Sequence, residues 1–151
     1  MGTRRKSREL VLQMLFQADM GRQTPEEVRR TFWREHHSIE KDVRGFAEDL
    51  FRMATDRTAE IDGLIERHAE HWRMDRMATV DRNVLRLAIY EMLYRDDIPP
   101  VVSINEAIEL AKTFGGPDSG RFVNGILDRV KNDLSRPLRE AAQKTNSDDA
   151  K

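Results

Sequence analysis

Apolar side chains recur along most of this chain at three- and four-residue intervals, the spacing that gathers them onto one face of an α-helix. In the first segment Leu10, Val11, Met14, Leu15 and Ala18 share such a face, with Arg8, Gln13 and Gln17 elsewhere, and Gly21 ends the run. Thr24-Pro25-Glu26-Glu27 reads as an N-cap, a proline at the first helical position and a glutamate three residues past the cap, the capping-box arrangement. It opens a short second helix carrying Val28, Phe32 and Trp33. After the polar His36-His37-Ser38, one stripe runs from Val43 through Phe46, Ala47, Leu50, Phe51, Ala54, Thr58, Ile61, Leu64 and Ile65 to about His68, which predicts the longest helix. Residues 69–78 mix Trp72, Met74 and Met77 with Arg73, Asp75 and Arg76, so periodicity blurs there.

From Thr79 to about Arg95, Val80, Val84, Leu85, Leu87, Ala88, Ile89, Met92 and Leu93 are apolar over more than one face, as in a helix buried on several sides. Asp96-Asp97-Ile98-Pro99-Pro100 stops it, and Ser103-Ile104-Asn105-Glu106 reads as a second capping box, opening a helix that Gly115-Gly116-Pro117 closes. The last helix is expected to start at Asp118 or Ser119 as cap and to bury Phe122, Val123, Ile126, Leu127, Val130 and Leu134. Strand signals are nearly missing: Val101, Val102 and Ile104 are too few to build a sheet. The expected fold is all-α, with an N-terminal helical subdomain over 1–75, a C-terminal one over 76–134, and a polar, disordered tail over 135–151.

Composition narrows the function. A chain of 151 residues is long enough to bury roughly 68–70% of its unfolded surface. The absence of cysteine removes disulfides, thiolate nucleophiles and cysteine-bearing metal sites, and a reducing cytoplasm fits. No apolar run approaches the ~18 residues of a membrane span, and the basic start lacks a signal peptide's apolar stretch. With 26 basic and 27 acidic residues the net charge is −1, so any nucleic-acid binding must come from a local patch.

Catalytic constellations do not assemble. His68 and His71 flank Glu70 without the spacing of a zinc-protease helix or an evident third ligand, and His36-His37 lies in a polar loop. Glu106 and Glu109 share a helical face, but the expected cap role accounts for Glu106, and Gly115-Gly116 lacks the lysine and preceding strand of a phosphate loop. No enzyme, no metal and no cofactor are expected.

The amino terminus differs. Arg4, Arg5, Lys6 and Arg8 put four cations into the first eight residues, before any acid. Cations at a helix start oppose its dipole by ~0.3–1 kcal/mol each, so the placement does not serve folding; it suits phosphates, above all an RNA or DNA backbone. Around the glycine-rich entry to the last helix, Lys112, Arg121 and Asn124 stand close in sequence to Phe114 and Phe122, the mixture of cations, amides and stacking faces that holds single-stranded RNA. The two regions are expected to lie side by side as one anion-attracting surface.

The run Ile104-Asn105-Glu106-Ala107-Ile108-Glu109-Leu110-Ala111-Lys112, then Phe114-Gly115, Ser119 and Phe122-Val123-Asn124-Gly125-Ile126-Leu127-Asp128, closely resembles the signature of the NusB family of transcription antitermination factors. Asp81 to Glu91 with Asp97-Ile98-Pro99 resembles that family's central helix and following turn, and Arg4-Arg5-Lys6-Ser7-Arg8-Glu9 its arginine-rich start. The resemblance covers about residues 3–134. It implies two small helical bundles packed together, and binding of the boxA element of nascent ribosomal RNA as a heterodimer with NusE, the small-subunit ribosomal protein that doubles as a transcription factor. The pair would then join other Nus factors on RNA polymerase. Position by position it implies RNA contacts at Arg4, Arg5 and Arg8. Asp118, Phe122 and Asn124 fall in the final motif near the RNA, and Asp81 on the helix expected to face NusE. Lys6 departs from the family's small residue or arginine, keeping charge without fork geometry. A protein-only adaptor without direct RNA binding is the alternative, and monomer against homodimer stays open.

Overall fold

A computed structural model describes residues 3–70 and 73–134 of the chain. Trp72, His71 and the tail expected over 135–151 lie outside the described residues. Among those described there are seven α-helices and no strand: α1 (Thr3–Gly21), α2 (Pro25–Glu35), α3 (Lys41–Asp56), α4 (Thr58–Ala69), α5 (Thr79–Tyr94), α6 (Pro100–Gly115) and α7 (Pro117–Lys131), with a 3₁₀ turn at Met74–Arg76. None of these helices is long and apolar enough to cross a membrane.

The capping box at Thr24 forms as expected, with Glu27 N–H donating to Thr24 Oγ1 at 3.1 Å and Thr24 N–H to Glu27 Oε1 at 2.9 Å. Three other boundaries differ. The long helix expected over residues 43–68 is two helices, broken at Arg57 (φ −118°, ψ 22°). The hydroxyls of Thr55 and Thr58 there donate to the carbonyls of Phe51 and Thr55, the local competition that makes threonine a poor helix interior. Ala54 and Ile61 are seven residues apart, two turns, so the apolar stripe keeps its phase across the break and hides it. Next, α6 starts at Pro100, not at Ser103: proline fits the first helical position, and the Val102 N–H already bonds Pro99 O at 2.9 Å. Ser103 and Glu106 are therefore inside the helix and cap nothing. Lastly, Gly116 is the N-cap of α7, at φ 105°, so neither Asp118 nor Ser119 serves as cap. That left-handed φ is one that glycine adopts without penalty.

α5 is the axis of the molecule. It packs against α1, α3, α4, α6 and α7, and Val84, Leu85, Leu87, Ala88, Ile89, Tyr90 and Met92 along it are all buried. On one side α1, α2 and α3 pack together, on the other α6 and α7, while α4 lies on α5 and α7. The buried apolar side chains form one cluster running through both groups. A polar clamp ties α1, α4 and α5 at one end: Arg86 reaches Asp19 at the end of α1 (3.2 Å) and Asp62 on α4 (2.9 Å), and Arg82 joins Asp19 at 2.7 Å. Burial pushes the Asp19 carboxyl up, but the hydrogen bonds from Arg82 and Asn83 outweigh it and hold the group below the usual carboxylate range.

Candidate nucleic-acid interface

α1 and α5 run antiparallel, since Arg8 meets Glu91 while Asp19 meets Arg82. The arginine start of α1 thus lies against the carboxyl end of α5 and the turn into α6. Its cations have three different fates. Arg8 is 4% exposed and its guanidinium is forked onto Glu91, Nε to Oε2 at 2.8 Å and Nη2 to Oε1 at 2.9 Å. Ser103 Oγ completes that carboxylate at 2.6 Å. The expectation of a phosphate contact at Arg8 meets this burial: the guanidinium joins α1, α5 and α6 through Nε and Nη2, and offers little surface to the cleft that it helps to line. Arg5 is half exposed and forks onto Glu106 at 2.9 Å through both nitrogens, an ion pair at the surface. The Arg4 guanidinium carbon is over the Phe46 ring, 3.7 Å from its centroid, and Lys6 is exposed.

Together these residues frame a cleft of about 510 Å³, lined by Arg4, Arg5, Arg8, Phe46, Asp97, Ile98, Pro99, Val102 and Glu106. Four of them carry chemistry that the sequence does not mark as a site. Phe46 stands in the apolar stripe of α3, Ile98 and Asp97 look like a helix stop, and Glu106 looks like a cap. The Arg5 hydrogen bond holds the Glu106 carboxyl below its ordinary range, and the Arg95 hydrogen bonds do the same for Asp97. The signal available is the Asp97-Ile98-Pro99 turn, which belongs to the matched motif.

The second group of expected residues sits at the far end of α5. A side chain placed on Gly115 would come within 3.3 Å of Val80 Cγ1, in the first turn of α5, whereas Arg8 meets Glu91 near its last. At 1.5 Å per residue the two places are about 16 Å apart along the axis. The arginine start and the glycine hinge are thus set apart along α5, while on α6 Glu109 acts on Arg5 and pairs with Lys112 at 3.6 Å, so one helix face runs between the two regions. Lys112 and Arg121 are exposed and paired within their own helices, to Glu109 at 3.6 Å and to Asp118 respectively. Asn124 is exposed, and Phe122 is half-buried in a groove with Ala69, Glu70, Arg121, Gly125 and Arg129. Asp81, in the first turn of α5, is only 9% exposed, and its Oδ1 is buried with no hydrogen-bond partner among the described residues. His68 is engaged structurally, with Nδ1 2.9 Å from Leu64 O and Nε2 2.6 Å from Asp133 Oδ2. Among the described residues no group of three or more acidic, histidine or cysteine side chains could hold a metal ion.

The model of the NusB family matches residues 5–132. The transcription antitermination protein NusB of Koribacter versatilis is 56% identical over 133 residues, 88% of this chain and 91% of that protein. That of Myxococcus xanthus is 49% identical over 140 residues, 91% of this chain and the whole of the other. Among solved structures, NusB of T. maritima superposes with a TM-score of 0.80 at 41% identity, over 88% of this chain and 93% of that one. A crystal structure of antitermination factors NusB and NusE in complex with dsRNA matches with a TM-score of 0.79 at 27% identity, over 87% and 98%. By sequence and by fold alike, the chain belongs to the NusB family.

Proposed function

We propose that this chain is a transcription antitermination factor that binds the boxA element of nascent ribosomal RNA together with NusE, and brings the pair to other Nus factors and RNA polymerase in the cytoplasm. The observation that carries the reading is the cleft at the start of α1, where Arg4 over the Phe46 ring and Arg5 beside Glu106 stand at the surface with apolar side chains between them. Guanidinium groups with that exposure supply salt-dependent affinity for phosphate, and loops that present unstacked bases to planar side chains supply sequence preference. Lys112, Arg121, Phe122 and Asn124, with Asp118 beside them, offer a second contact area about 16 Å farther on, a gap that a few nucleotides of extended single strand cover. The mechanism is assembly, not turnover: one RNA held by two proteins is bound more tightly than by either.

A protein surface for NusE is supported at the other end of α1. Phe16 and Met20 are exposed one turn apart, and Met20 Sδ accepts from Thr79 Oγ1 at 3.4 Å, next to the helix start that holds Asp81. One observation favours the protein-only adaptor instead: two of the three arginines of α1 already have carboxylate partners within the chain. Titration of labelled boxA RNA, against a scrambled control, with the protein alone and with NusE at two salt concentrations separates the readings. Sequence-selective binding that tightens with NusE and weakens with salt is expected. Equal or absent binding of both RNAs leaves the adaptor.

A further inference from the structure

The cleft at the start of α1 contains groups that a phosphate does not ask for. Ile98, Pro99 and Val102 give it an apolar wall, and two carboxylates, Asp97 and Glu106, face the same space as the arginines. A carboxylate repels an RNA backbone, so its presence beside the cations needs its own account.

The Arg4 guanidinium carbon sits over the Phe46 ring, 3.7 Å from its centroid, and the residue is exposed, so a planar group can reach the guanidinium from the solvent side. Arg95 reaches the same ring, 5.2 Å from its centroid, and forks onto Asp97, Nε to Oδ1 at 3.0 Å and Nη2 to Oδ2 at 2.9 Å. Asp97 is thereby fixed in direction while its side chain stays 62% exposed. Each carboxylate oxygen has two lone pairs, so the fork leaves acceptor capacity turned to solvent. Glu106, at 19% exposure and held by Arg5 through both oxygens, has less to offer. The charge of Arg4 also reaches Asp97 and helps keep it ionised.

Resting on the RNA-binding reading, we propose that this cleft is a nucleobase site: a base carrying an exocyclic amino group stacks on Arg4 against the Phe46 ring and donates that amino group to Asp97. A carboxylate accepts from a base amino group, as Asp and Glu do from cytosine N4, and, unlike an amide or hydroxyl, it has no hydrogen to donate to a phosphate. Asp97 is then a specificity-determining residue, and the arginines around it supply affinity.

The test uses the full chain, alone and with NusE, and a labelled boxA RNA in which each adenosine, cytidine and guanosine is replaced in turn by its analogue lacking the amino group: purine riboside, the 4-deoxy pyrimidinone riboside and inosine. One replacement is expected to weaken binding about tenfold, the scale of one hydrogen bond to a charged group. Asp97→Ala should weaken the unmodified RNA by a similar factor and show no further loss on that replacement. Arg4→Lys, which keeps the charge and loses the planar face, should weaken binding several-fold with the salt slope unchanged. Thermal unfolding of both variants is measured alongside, since the exposed position of Asp97 predicts little change. Indifference of the natural protein to every replacement overturns the base site while leaving RNA binding intact. So does equal or tighter binding by Asp97→Ala, which is what removing a negative charge from the path of a polyanion does by itself. A natural protein that binds no RNA, with or without NusE, overturns the functional reading as well.

Discussion

Arg8 and Arg121 carry the same guanidinium and each meets one carboxylate, yet they belong to different kinds of site. Arg8 is buried, reaches across 83 residues of sequence to Glu91, and has both carboxylate oxygens forked and a serine added. Arg121 is largely exposed and meets Asp118 three residues away in its own helix. The first pair is tertiary: neither partner has water to return to, so the cost of losing one falls on the other. The second is a local surface pair, screened by solvent and salt and worth little to the fold. A cation that is indispensable to the structure is a poor choice for holding RNA, and one that the structure can spare is a good one. Arg4 and Arg5 stand between these extremes, positioned by Phe46 and Glu106 yet open to solvent.

Arg8→Ala is the largest test of this contrast. It should destabilise the protein by about 3–5 kcal/mol in chemical denaturation, because Glu91 is left buried without its cation. The companion Arg8→Met with Glu91→Met should recover most of that loss. If Arg8→Ala is instead silent in stability and abolishes RNA binding, the division drawn here fails. Gly115→Ala comes next: its Cβ would lie 2.8 Å from Ser119 Cβ, so α6 and α7 must separate, at about 1–3 kcal/mol. Gly120→Ala meets the Lys112 side chain, 2.7 Å from its Cγ, with Ile108 Cγ2 at an ordinary 3.9 Å, and should be milder because the lysine can change rotamer where Ser119 Cβ cannot move.

Replacing Arg4 and Arg5 together by alanine should leave the unfolding midpoint nearly unchanged and lower the slope of log affinity against log salt by about 1.4, near 0.7 for each single-strand phosphate that is no longer neutralised. Acid offers a finer probe of the surface pairs. The Glu106 and Asp97 carboxyls lie below their unfolded values of about 4.3 and 3.9, so their ion pairs contribute stability that is complete above that range and is lost as pH falls through the lower folded values. The melting temperature should hold above about pH 5 and drop below about pH 4, less steeply in Glu106→Gln. The smallest effect belongs to Arg121→Ala, within about 0.5 kcal/mol of the natural protein.

Helix identity was legible because apolar spacing carries it directly. The break at Arg57 was not, since Ala54 and Ile61 keep one phase across it. Periodicity reports which face is buried, and two helices that share a face look like one. The same blindness misplaced Ser103 and Glu106: their spacing fits a cap, but Pro99-Pro100 had already begun the helix, and only tertiary structure shows Glu91 and Arg5 waiting for them. Setting Arg8 apart from the apolar face with Gln13 and Gln17 was mistaken, and its burial did have a trace in the sequence. Arg8 falls in phase with Val11 and Leu15, and Glu91 with Val84 and Leu87, so opposite charges stand on the inward stripes of two helices. What no spacing could supply is the offset of the arginine start and the glycine hinge along α5. That distance is set by how helices far apart in sequence lie against one another.

Because a single rigid rod, α5, separates those ends, its length works as a ruler. Removing one turn from its middle would bring the two surfaces about 5.4 Å closer, and deleting a single residue would swing one end about 100° around the axis relative to the other. If both regions hold RNA as proposed, the nucleotide interval between them is written into the number of residues between Val80 and Glu91, not into any side chain that touches the transcript.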